Sequence, residues 1–252
     1  MIYFKKFLKN LGLVSKLKKF KYFMNLIGLD PSITSTGMTI NGKLFSYSYE
    51  KAAKKKGGDL TKWFESCEPY VNLRFHQQAK FNNYQDEQLI KLKYYTEVVE
   101  NILEDIINNI DKKQDTKIGI EGYSYGSPAG NLIDLVSFGT LLRDRLIKNV
   151  SDNIITVSPN SLKLESCKMV YTPLQIEKGK RKKKIVLEYR NNEGIPGGKF
   201  TKNEMCKSII ESDWEDDWVK YLRTVNSDFS TKIPKPHDDL NDSFLLYKYI
   251  SS

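Results

Sequence analysis

Asn41-Gly42 stands between two apolar runs, Gly37–Ile40 and Lys43–Tyr49, and Asn-Gly in that setting is the strongest short-range signal for a β-hairpin. The hairpin commits the chain to a sheet whose first neighbours are antiparallel. Just before it, Asn25–Leu29 reads as a short buried strand broken at Asp30-Pro31. Lys117–Glu121 (KIGIE) and Ile154–Val157 read as two more. Helical patterns lie between and after these strands. Residues 86–110 place Leu89, Leu92, Val99, Leu103 and Ile106 at helical spacing. Residues 131–149 form a second helix, 202–211 a short one, and the tail of HDDLNDSFLLYKYI a last one with an apolar face. Residues 51–80 read as irregular. The order β, β, β, α, β, α, β, α predicts an α/β domain with insertions.

At 252 residues the chain is long enough for one large domain or two small ones. No run approaches 18 consecutive apolar residues, so no membrane span is expected. Three widely spaced cysteines, Cys67, Cys167 and Cys206, argue against a disulfide-stapled secreted fold. With no signal-peptide cleavage site, they point to the cytoplasm, a host's if the coding genome is viral. A lysine-, asparagine- and isoleucine-rich composition suits an AT-rich genome of a phage, another virus or a bacterium.

The net charge of +9 is unevenly spread. Residues 1–24 hold seven lysines and no acid, which leaves 33 basic residues against 31 acids over 25–252. The leading segment reads as a basic extension, either a dispensable leader or an arm for a membrane surface or nucleic acid. Other basic patches lie at Lys54–Lys56 and at Lys178–Lys184, where Lys178, Lys180, Arg181, Lys182, Lys183 and Lys184 crowd seven positions. The second patch sits in a stretch, 168–196, that reads as an extended loop or β-ribbon. Such patches suit phosphate contacts, or are a solvated lysine-rich face.

The chemistry-bearing residues are carboxylates at the ends of core elements. Asp30 ends the first strand, Glu121 ends KIGIE, and Asp239 and Asp242 share a face at the start of the last helix. Singly, each has an ordinary role: a turn before Pro31, a solvated strand end, acids favoured by the helix dipole. Together they form a set that repels itself unless a hard cation binds it. With one or two Mg²⁺ ions, such a set makes a phosphoryl-transfer site.

Taken in order, IGLDPSITSTGMTI, IEGYSYGSPAGNLIDLVSFGTLLRDRL and HDDLNDSFLLY resemble the three acidic motifs of the RuvC-like Holliday junction resolvases, in the ribonuclease H-like superfamily. The likeness covers about residues 25–250, with 50–85 and 168–196 as insertions. VSPNSLK and GGKFTKNEM resemble further family stretches. The resemblance implies a mixed five-stranded sheet flanked by helices, with Asp30 bridging two Mg²⁺ ions (Mn²⁺ substituting). Glu121 and Asp242 would hold one ion each, with Asp239 assisting. The doublet Asp238-Asp239 leaves the assisting acid ambiguous; spacing selects Asp239. Water attacks the scissile phosphate, the 3′-oxygen leaves, and a homodimer nicks opposed strands of a four-way DNA junction. Lys163 or Lys199 would neutralise developing charge. Lys180, Arg181, Lys182 and Lys183 would contact the DNA backbone, and Tyr123 and Tyr125 would stack on an unpaired base, or pack within their loop.

Two other functions keep the same fold: a ribonuclease H-like nuclease acting on RNA–DNA hybrids, flaps or other branched DNA, and a non-catalytic DNA-binding protein. GIPGGKFT (194–201) fails as a phosphate loop because Phe200 separates the lysine from Thr201, so no nucleotide cofactor is expected. Cys67 and His76 lack zinc-ligand spacing. His237 reads as a helix-start residue, close enough to the acids to carry a proton.

Overall fold

The computed structural model describes residues 24–50, 60–77, 83–123, 128–170, 174–179, 184–188, 200–225 and 233–251. The strands are β1 (Met24–Asp30), β2 (Ser35–Ile40), β3 (Lys43–Tyr49), β4 (Val71–His76), β5 (Asp115–Glu121), β6 (Ile154–Val157), β7 (Leu174–Lys178) and β8 (Lys184–Glu188). The helices are α1 (Leu60–Cys67), α2 (Tyr84–Asn109), α3 (Ala129–Asn149), α4 (Pro159–Val170), α5 (Lys202–Ile210), α6 (Asp217–Val225) and α7 (His237–Ser251). Six strands form one sheet in the order β4-β3-β2-β1-β5-β6. β2 pairs antiparallel with both neighbours, and the other pairings are parallel. The hairpin forms where Asn41-Gly42 predicts it, with φ of 49° and 89° at the two turn residues.

The sheet has six strands rather than five. The added edge strand β4, and the helix α1 before it, come from the stretch read as irregular. Polar residues alternate unevenly along VNLRFH, so the strand pattern is weak; Arg74 and His76 face α2 instead of water. Arg74 makes two charge-assisted hydrogen bonds to Asp105 of α2, at 2.7 and 2.6 Å. The Tyr47 hydroxyl donates to the same carboxylate at 2.7 Å. That shared carboxylate fastens the edge strand to the helix.

Alternation along the strands divides the core into two layers. Ile27, Leu29, Met38, Ile40, Ile118 and Ile120 face α2 and α3, where they meet Tyr95, Val99, Ile102, Ile106, Phe138 and Leu142. The opposite face is covered by α7, with α1, α4, α5 and α6 around it, joined through Leu240, Phe244, Leu162, Met205, Trp218 and Leu222. The expected apolar stripe of α2 is shifted. Val99, Leu103 and Ile106 are buried, but Leu89 and Leu92 are 57% and 51% exposed. The true stripe runs back from Tyr94 through Lys91, which pairs with Asp134 of α3 at 2.8 Å. Two further helices went unread: Pro159 starts α4 at the position where its fixed φ is favourable, and the acidic ESDWEDDW hides α6, whose Trp218 is fully buried. The β7–β8 pair is the expected ribbon, separate from the main sheet. Residues 1–23, 54–56 and 180–183, which carry most of the basic charge noted above, lie outside the described residues.

Glycine decides how close α7 comes. A Cβ on Gly28 of β1 would stand 2.1 Å from the Ser243 carbonyl oxygen and 2.6 Å from the Tyr247 nitrogen. One on Gly37 of β2 would stand 2.3 Å from the Asp239 carbonyl oxygen. Both obstacles are backbone, so nothing can swing aside. At Gly119 of β5 the nearest atom is instead a methyl of Ile250, at 2.8 Å, which a rotamer change can move. Gly28→Ala is therefore expected to cost about 3 kcal/mol of unfolding free energy and Gly119→Ala about 1 kcal/mol. Denaturant melts of the two variants check the ranking; equal losses would mean that α7 does not depend on bare backbone at Gly28.

Candidate metal centre

Three elements that are remote in sequence bring their acids to one end of the sheet. Asp30 is the last residue of β1, pairs across to Gly37 and is 5% exposed. Glu121 is the last residue of the parallel neighbour β5 and is half-buried. Asp242 lies in the second turn of α7, 1% exposed, where the close approach over Gly28 and Gly37 presses the helix onto both strands. One carboxylate oxygen from each of Asp30, Glu121 and Asp242 lies within 4.8 Å of the other two. Of the four sequence-predicted acids, these three converge. Asp239, 4% exposed and one turn earlier on α7, lies beside them but outside that mutual distance. Asp238 is half-buried and accepts a hydrogen bond from the Asp239 backbone N–H at 3.0 Å, which satisfies one of the free N–H groups of the helix's first turn.

The electrostatics of the centre favour a cation. Burial raises the Asp30 carboxyl well above the usual carboxylate range, the Glu121 charge raises it further, and Lys202 pulls the other way. Asp239 is likewise raised by burial, against the pull of Lys235. Asp242 Oδ1 is buried with no hydrogen-bond partner. A buried carboxylate oxygen without a donor is costly, and an all-oxygen donor set is what a hard divalent cation takes. The residues present therefore fit such an ion.

Two lysines were missed from sequence. Lys202 places its ammonium on Asp242, and Lys235 places its own on Asp239 and, at 3.3 Å, on Asp238. Burial lowers the Lys235 ammonium, but the Asp239 and Asp238 charges overcome that and hold it above the ordinary lysine value. Lys235 had a local signal, because it precedes Asp238 and Asp239 by three and four residues. The signal for Lys202 is only that it opens α5 behind a capping box: Thr201 accepts from the Glu204 N–H at 3.3 Å, and Glu204 Oε2 accepts from the Thr201 N–H at 2.6 Å. Of the two lysines predicted to assist, Lys163 is half-buried on α4 and makes no ion pair with these acids, and Lys199 lies outside the described residues.

The flanking residues brace the centre. Arg143 of α3 donates to the Glu121 carbonyl at 3.0 Å and to the Tyr123 hydroxyl at 3.0 Å, and its guanidinium lies 4.7 Å from the Tyr123 ring centroid. Tyr123 thus packs against α3; Tyr125, like Lys180, Arg181, Lys182 and Lys183, is outside the described residues. His237 is fully buried at the start of α7, and its Nε2 shares a 2.8 Å hydrogen bond with the Tyr221 hydroxyl, which also meets Ser66 Oγ at 2.7 Å. Its ring packs among Trp63, Trp218 and Tyr221. Burial pushes the imidazole down to about 4, so at neutral pH it is an uncharged brace.

Replacing Asp30 by Asn removes a carboxylate that is costly to ionise in the fold. Without divalent cations and at neutral pH, Asp30→Asn is expected to be more stable than wild type, by a few degrees in Tm. The advantage should shrink as pH falls. The native Asp30 has a raised pKa, so it takes up its proton before the unfolded chain does, and the native state gains stability through that window. A gap that is constant from pH 7.5 to 4.5 would refute the assigned cause. Comparison with protein-family models, with curated proteins and with solved structures found no match, so what the chain is rests on its own fold and on this centre.

Proposed function

We propose that the chain is a metal-dependent nuclease of the ribonuclease H-like kind, acting as a RuvC-like resolvase on four-way DNA junctions. One observation carries this reading: the convergence of Asp30, Glu121 and Asp242 from β1, β5 and α7 within 4.8 Å. The motifs that resemble the resolvase family place acids on the first strand, on a later parallel strand and on the last helix, and the observed sheet supports that assignment. Glu121 stands on the fifth strand in chain order because β4 is an addition at the edge.

In this reading Asp30, Glu121 and Asp242 hold Mg²⁺ or Mn²⁺. When bound, such an ion supplies activation of a water and charge stabilisation on the scissile phosphate and the departing 3′-oxygen. The chain's part is placement. Asp30 lies within reach of one ion together with Glu121 and Asp242. Arg143 fixes the end of β5, and with it the Glu121 backbone. Lys202, paired with Asp242 and 43% exposed along its side chain, is open to solvent, where a DNA phosphate could meet it. Among the described residues no helix is long and apolar enough to cross a membrane.

The test is cleavage of a synthetic four-way junction in Mg²⁺, run beside linear duplex, a flap and an RNA–DNA hybrid. Paired symmetric nicks in the junction are expected, as a homodimer would make them, with a loss of at least about a hundredfold in Glu121→Gln. Preferred cutting of the hybrid or flap would move the substrate within the same chemistry. Junction binding without cutting of any substrate would leave a DNA-binding protein.

A further inference from the structure

The resemblance implies two metal ions shared among four acids, but the four acids are not in equivalent surroundings. We propose that the centre holds one divalent cation, on Asp30, Glu121 and Asp242, and that the Lys235 ammonium takes the place of a second ion beside Asp239. This deepens the nuclease reading and rests on it.

The two lysines differ in how they are held. Lys235 is gripped by two carboxylates of its own helix start, Asp239 and Asp238, which lie four and three residues ahead of it. Its side chain is 35% exposed and Asp239 is 6% exposed, so the pair is largely shielded from competing water. A second metal at Asp239 would have to displace a cation already chelated there. Lys202 has one carboxylate partner, Asp242, and a more exposed stem. It can withdraw into solvent when a divalent cation takes Asp242. Asp242 Oδ1 and Asp239 Oδ2 are both buried without a partner, so the division between the two acids rests on the lysines that hold them. Charge agrees with this division: with Asp238 set aside at the rim, one divalent cation plus the resident Lys235 leaves one negative charge uncompensated among Asp30, Glu121, Asp239 and Asp242. That remaining charge is what Lys202 can offset from the rim.

Mn²⁺ binding to the full chain tests the assignment without reference to cleavage. Equilibrium dialysis gives the stoichiometry, and electron paramagnetic resonance separates an isolated Mn²⁺ from a coupled pair. Wild type is expected to bind one isolated ion tightly. Asp239→Asn should keep that ion within about threefold in affinity, whereas Asp242→Asn should lose it. Lys202→Gln should bind the single ion about tenfold more tightly, because no ammonium competes. Lys235→Gln should admit a second, coupled ion, and Lys235→Arg, which keeps the charge, should behave as wild type. Circular dichroism melts confirm that each variant is folded. A coupled pair in wild type, or a hundredfold loss in Asp239→Asn, overturns the role of Lys235 and leaves the nuclease reading standing. No Mn²⁺ binding by wild type overturns both.

Discussion

The centre depends on a helix lying against bare backbone. α7 brings Asp242 and Asp239 to the ends of β1 and β5 because Gly28 and Gly37 offer no side chain where the helix lands. Elsewhere on that face ordinary side chains set the spacing between helix and sheet. The glycines lower that spacing locally, and the acids come within reach of one another as a result. Packing thus decides electrostatics here: the distance that makes the three carboxylates repel is the distance that lets them share one ion.

Counter-charge comes from lysines that belong to separate elements. Lys235 enters from the segment before α7, and Lys202 from the capped start of α5. Neither is fully buried, so each keeps part of its hydration while it neutralises an acid. The arrangement lowers the cost of two of the buried carboxylates, Asp239 and Asp242, and leaves Asp30 as the acid that is costly to ionise.

Much of this was legible because the relevant signals are local. The Asn41-Gly42 turn, the strands ending in Asp30 and Glu121, and the three-residue step from Asp239 to Asp242 each lie within a few residues. What failed was non-local or disguised. β4 alternates poorly because Arg74 finds its partner on α2, 31 residues away. α6 reads as acidic loop, although Trp218 fills the core and donates to Asn241 at 3.0 Å. Leu89 and Leu92 mimic a core stripe one register off, and only the packing of α2 on α3 reveals that Lys91 lies on the inner side. Lys202 could not be linked to Asp242 from sequence, because 40 residues and a whole helix separate them.

Asp30 and Asp242 stand near opposite ends of the described chain, and that has a consequence for synthesis. A ribosome-bound chain that has not yet released residues 237–251 owns two of the three ligands and lacks the helix that sets their spacing. At elongation rates of about 5–20 residues per second, the sheet strands are exposed for seconds before the third acid arrives. Throughout that interval the growing chain has no complete cation site. Whatever cation binding the three acids support is withheld until the last helix docks.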